Sequence, residues 1–181
     1  IQGGGEDLSR SYGQVKKGDV EADKKTINLQ KLKEEFEKTE RAKLKDLKEK
    51  IEAMIEASPT LRQFKSQLLL DLTTEGLRIQ IVDEKNRPMF DSASSELKAY
   101  TKEILRDIGR SLNGVENRIS LSGHTDAQPY AGGDKGFGNW ELSTNRANAS
   151  RRELVVGGMT DSKVMRVTGL ASTVLYDKEQ P

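Results

Sequence analysis

The chain has no cysteine among its 181 residues, a single histidine, a single tryptophan and four prolines. Without cysteine there is no disulfide, no thiolate nucleophile and no thiolate metal ligand. One histidine and scattered carboxylates give no metal-ligand spacing, so no metal and no cofactor is expected. No stretch approaches the roughly eighteen apolar residues of a membrane-crossing helix, and no signal-peptide pattern is visible. Neither sign of charge dominates: 30 Lys and Arg face 29 Asp and Glu, for a net charge of +1. The Lys-rich part is equally rich in Glu, which excludes the basic, aromatic-interleaved stripe of a nucleic-acid reader. No nucleophile-elbow pattern surrounds any serine, so His124, Asp126 and the nearby serines make no recognisable hydrolase, and the chain is read as a non-enzyme.

What remains is 34% hydrophobic and 33% charged, enough for one modest core and a solvated extension. Ile1 to Asp19 is Gly-rich and polar, and residues 1–23 are expected to form a flexible tether. From Lys24 the chain is dense in Lys and Glu, with Leu29, Leu32, Phe36, Leu44, Leu47, Ile51, Met54 and Ile55 at helical spacing until Ser58-Pro59 stops it. Residues 24–60 are therefore expected to be an amphipathic linker helix. Its heptad slips between Phe36 and Leu44, and two readings stay open: a helix packed on its own domain, or one that pairs with a second copy.

A globular domain is expected over 61–181. Leu77, Ile79 and Ile81 alternate with polar or outward positions in a strand-like segment between Leu68 and Asp83. Leu97, Ile104, Leu105, Ile108 and Leu112 predict a helix over about 92–112, ended by Asn113-Gly114. Ile119 to His124 reads as a second strand and Val164 to Thr168 as a third. Between them a helix is expected from an N-cap at Ser143 to about Val156. Asp126 then stands at a strand end and Arg146 in the first turn of the following helix, a common address for a small ligand. A cation in that turn opposes the helix dipole and calls for a partner. Either the two charges form an internal salt bridge, or they bind a zwitterion, Arg146 forking onto its carboxylate and Asp126 accepting from its ammonium. Trp140 either has a core or loop-anchoring role or stacks on a sugar, and Tyr130 carries the same two readings.

The pattern Gly123-His124-Thr125-Asp126, followed by Asn139, Leu142-Ser143 and Arg146-Ala147, resembles the peptidoglycan-binding domain of the OmpA family. Pro129-Tyr130, Asn139-Trp140-Glu141-Leu142-Ser143 and Arg146 to Arg152 are similar, more narrowly, to the branch of that family found in flagellar stators. Glu75-Gly76-Leu77-Arg78-Ile79 and Asn86-Arg87-Pro88-Met89-Phe90 fit the same branch. The resemblance implies an α/β sandwich, β-α-β-α-β with helices on one face of a mixed sheet, preceded by a long amphipathic linker helix. It implies a chain that begins after a membrane helix and stops before the family's last strand.

The same resemblance implies a ligand, the diaminopimelate-containing stem peptide of peptidoglycan. Asp126 falls on the ammonium-binding position, Arg146 on the carboxylate-binding one, and Asn139 on an Asn expected to hydrogen-bond the peptide, with Thr125 beside Asp126. The implied function is non-catalytic anchorage of the flagellar motor stator to the cell wall. The implied setting is the periplasmic part of a single-pass inner-membrane protein, a homodimer that meets a MotA-type stator subunit through its membrane helix. Two rivals stay open: a wall-anchoring module of the same family without a motor role, and an adaptor whose Lys/Glu helix binds a protein partner.

Overall fold

The structure, a computed structural model, describes residues 17–128 and 136–173. The chain divides into two units, residues 1–46 and residues 47–181. The first helix, α1 (Lys17–Ala57), contributes to both. It begins ahead of the expected Lys24, since neither Pro nor Gly stands between Asp19 and Ser58 to interrupt it. Residues 17–23, expected in the tether, are thus helical, while residues 1–16 lie outside the described residues.

The end of α1 is where the sequence predicts it. Pro59 pushes Ser58 to extended backbone (φ −87°, ψ 119°), and Ser58 caps the short helix α2 (Pro59–Gln63), its Oγ accepting from Leu61 N at 3.2 Å. The second unit starts at Leu47 rather than after residue 60, because Ile51 and Ile55 are buried in its core with Leu61, Phe64, Leu68, Ile104, Leu105 and Met159.

The segment expected to be one strand is a hairpin of β1 (Leu68–Thr73) and β2 (Gly76–Ile81), paired antiparallel from Leu68↔Ile81 to Thr73↔Gly76. Gly76 takes φ +136°, which closes the turn at no steric cost. Helix α3 (Ala99–Asn113) follows, then β3 (Ile119–Gly123), helix α4 (Asn139–Val156) and β4 (Val164–Gly169), which pairs parallel to β3. The α/β character and the long leading helix match the expectation. The expected single mixed sheet is, among the described residues, two two-stranded sheets, β1-β2 and β3-β4.

Helix α3 begins seven residues later than its apolar stripe suggested. Residues 91–98 instead form a loop in which Ser94 N donates to the Asp91 carbonyl (3.1 Å), Glu96 N to Ser94 Oγ (3.0 Å) and Asp91 N to the Glu96 carbonyl (2.9 Å). The Ser94 side chain and the backbone turn from Asp91 here give the chain an alternative to the helix. Ala93, inside this loop, is held at φ 51°, a left-handed conformation uncommon for alanine.

Candidate ligand-binding site

Strand β3 delivers its end residues to a fixed place. The ladder to the β4 side continues past both strands, with Leu170 N donating to the Gly123 carbonyl (3.0 Å) and Thr125 N to the Ala171 carbonyl (2.9 Å). Thr125 is thereby buried, and Asp126 next to it is exposed. The Thr125 Oγ1 is also buried and has no hydrogen-bond partner among the described residues, an unusual state for a hydroxyl away from water.

Helix α4 lies against the same end. A Cβ on Gly123 would stand 2.0 Å from the Ser143 carbonyl oxygen, and one on Gly169 2.2 Å from Thr144 Oγ1, so both strands need glycine where the helix crosses. The expected N-cap at Ser143 is corrected. The helix starts at Asn139, after Gly138, whose N–H donates to Glu141 Oε2 at 2.8 Å. That bond and Glu141's own backbone N–H hold its carboxyl below the usual range. Ser143 is fully buried inside the helix, its Oγ donating to the Trp140 carbonyl (3.0 Å) and accepting from Ala171 N (3.0 Å). Arg146 accordingly sits two turns into α4, clear of the positive end of the dipole.

Arg146 is half-buried. Its Nε donates to the Ser94 carbonyl at 2.9 Å, and its Cζ lies 4.7 Å from the centre of the Phe90 ring, a cation–π contact. Burial lowers the guanidinium's affinity for its proton, and the carboxylates of Asp83 and Asp126 oppose this, Asp83 the more strongly. Arg146 and Asp126 form no ion pair. The internal salt bridge left open by the sequence is therefore absent, and both charges face the site without neutralising each other in contact. Asn139, at the start of α4, donates from Nδ2 to the Gln128 carbonyl (3.1 Å), which ties the helix to the chain just past Asp126.

All four residues singled out by the sequence fall at one end of β3 and along α4. Sequence reasoning did not assign Asp83, Phe90 or the Ser94 carbonyl, although Met89-Phe90 was part of the quoted resemblance. A signal was present in Phe90-Asp91-Ser92-Ala93-Ser94, an aromatic followed by turn-forming residues where a helix was expected. Trp140 is 57% exposed, which removes a core role and leaves loop anchoring and sugar stacking open. Tyr130 lies outside the described residues.

Comparison with known proteins adds the decisive observation. The model of the OmpA family matches residues 89–181, half of the chain. The chain belongs to the OmpA family. It is 48% identical to Motility protein B of Escherichia coli K12 over all 181 residues, which is 55% of that protein, so the chain spans about half the length of the curated relatives it matches. Among solved structures, a MotB-like protein from Desulfovibrio vulgaris superposes with a TM-score of 0.60 at 17% identity, covering 79% of this chain and 87% of that one. A periplasmic-domain structure of Helicobacter pylori MotB gives 0.53 at 16% identity, covering 68% of this chain and 75% of the other. At those identities the likeness speaks for the fold alone.

This OmpA-family domain is a non-catalytic one. The family's span opens at Met89, so Phe90, Ser94, Asp126 and Arg146 lie inside it and Asp83 lies outside. Among the described residues no helix is long and apolar enough to cross a membrane, and no group of His, Cys, Asp or Glu could hold a metal ion.

Proposed function

We propose that this chain grips peptidoglycan and so anchors a flagellar motor stator to the cell wall. The observation that carries the reading is a couple that, among the described residues, is not ion-paired: Asp126 exposed at the end of β3, and Arg146 held from behind by Ser94 and Phe90. Such a couple suits a zwitterion, and the free amino-acid end of a diaminopimelate-containing stem peptide supplies one. Arg146 takes its carboxylate and Asp126 its ammonium. The orphaned Thr125 hydroxyl and Asn139 add hydrogen bonds to the peptide.

The motor role is supported by the 48% identity to Motility protein B. In this reading the chain is the periplasmic part of a single-pass inner-membrane protein, and a MotA-type subunit meets its membrane helix. The exposed Leu29, Leu32 and Phe36 of α1 suit pairing with a second copy, and a dimer holds the wall twice. The second grip is then intramolecular, so weak single sites suffice to resist the reaction torque of the rotor.

Co-sedimentation with purified sacculi tests this. The parent chain pellets with the wall, and folded Asp126→Ala and Arg146→Ala variants each lose about tenfold or more in affinity. A parent that stays in solution removes the wall-binding reading.

A further inference from the structure

The geometry points to an end-on clasp: Arg146 offers a ligand carboxylate only its Nη1/Nη2 edge, and the loop bearing Phe90 and Ser94 sets that orientation before any ligand arrives. The inference rests on the proposed wall-binding site and specifies how its cation works.

A guanidinium has five N–H donors, one on Nε and two on each Nη, in a rigid plane. A carboxylate can fork onto it from the side, using Nε and one Nη, or from the end, using both Nη atoms. Here the side approach is taken. Nε donates to the Ser94 carbonyl at 2.9 Å, and the Phe90 ring covers one face of the plane with Cζ 4.7 Å from its centre. No acceptor among the described residues bonds either Nη. The Nη1/Nη2 edge is therefore left without a protein acceptor and within reach of solvent, where a carboxylate can take both of its outward N–H groups.

The backing is rigid because the loop is tied at both ends. Asp83 Oδ1 accepts from Met89 N at 2.7 Å, and the Met89 carbonyl accepts from Lys98 N (3.1 Å) and from the buried Thr101 hydroxyl (2.8 Å). Phe90 pairs with Leu97 through a backbone bridge, and Lys98 forms an ion pair with Asp91. Ala93, left-handed at φ 51°, turns the chain immediately before Ser94. Asp83, Phe90 and Ser94 are thus positioning residues, and Asp83 also contributes the stronger of the two carboxylate fields on Arg146. A rotationally free arginine would lose more order on binding than one already aimed.

Side-chain NMR of the 181-residue chain decides it. The Arg146 Nε–H is expected to exchange slowly with water in the free protein. Added muropeptide carrying diaminopimelate should shift the Nη resonances and leave Nε nearly unmoved. An Nε–H that exchanges freely before binding, or that carries the main shift on binding, overturns the inference. Phe90→Leu, which keeps apolar bulk and loses the π face, should weaken muropeptide binding about threefold to fivefold without unfolding the chain. Arg146→Lys retains charge but cannot hold Ser94 and a forked carboxylate together, so it should bind nearly as poorly as Arg146→Ala. Binding by Arg146→Lys within about twofold of the parent would instead mark a site that needs only a point charge. If the parent binds no muropeptide, the wall-binding reading fails by itself. Acetate, titrated as the carboxylate probe, then still reports which edge of Arg146 is open.

Discussion

Two stretches of α1 share one sequence rule and meet opposite fates. Leu29, Leu32 and Phe36 are 68%, 62% and 65% exposed, whereas Ile51 and Ile55, at the same helical spacing, are 5% and 4% exposed. In residues 22–46 the visible support is local: an i,i+4 pair of Lys33 and Glu37, an i,i+3 pair of Lys43 and Glu40, and threonine hydroxyls donating back to carbonyls four residues earlier. Such pairs contribute a few tenths of a kcal/mol each. The second unit is instead held by close tertiary approach. Periodicity identifies an apolar face and says nothing of what covers it.

The comparison breaks most severely at Gly123. A methyl group there would stand 2.0 Å from a backbone oxygen of α4, and backbone cannot step aside as a side-chain tip can. Gly123→Ala should cost about 3 kcal/mol or more, seen as a lower urea midpoint for the second unit, and should impair sacculus binding, since α4 carries Arg146. Residues 22–46 should keep their helical circular dichroism under the same conditions.

A matched pair of truncations sharpens it further. Ile55→Ala removes buried methylenes and should destabilise the second unit by about 3 kcal/mol, whereas Leu32→Ala should leave its unfolding midpoint within about 0.5 kcal/mol of the parent. Analytical ultracentrifugation gives the complementary readout: if the exposed stripe meets a second copy, Leu32→Ala weakens self-association and Ile55→Ala, at conditions where it stays folded, does not. Equal unfolding effects of the two would erase the distinction between the halves.

The same contrast explains what could be read ahead of the structure. The placement of Asp126 at a strand end and of Arg146 on the following helix was legible because a short alternating strand and a helix each announce themselves locally. The end of α1 at Ser58-Pro59 was legible for a similar reason, proline being a purely local stop. The start of α3 was not, because an apolar stripe at helical spacing begins before the helix does and the Asp91–Ser94 turn wins the backbone hydrogen bonds. The start of α4 was misplaced because Ser143, a good cap by type, is engaged with Trp140 and Ala171 inside the fold. The hairpin was missed because its turn carries Thr74-Glu75 rather than a strong turn pair, with the decisive glycine one residue later. Phe90 and Ser94 act on Arg146 across more than fifty residues of chain, a separation no local pattern spans.

The smallest expected effect also separates the two regions. His124, the only histidine, lies at the end of β3, and burial pushes its imidazole below the ordinary value of 6.5. As pH falls through that value the unfolded chain takes up the proton first, so protonation favours unfolding. Stability of the second unit should therefore be full above about pH 6.5 and decline below it. Urea midpoints at about pH 7.5 and about pH 5.5 should differ in the parent, and His124→Gln should reduce that difference while leaving the slopes set by carboxylates at lower pH. The helicity of residues 22–46, which contain no histidine, should not follow the same titration. An undiminished midpoint shift in His124→Gln would move the pH sensitivity to groups other than this histidine. It would mean that His124 takes up its proton as readily in the folded chain as in the unfolded one.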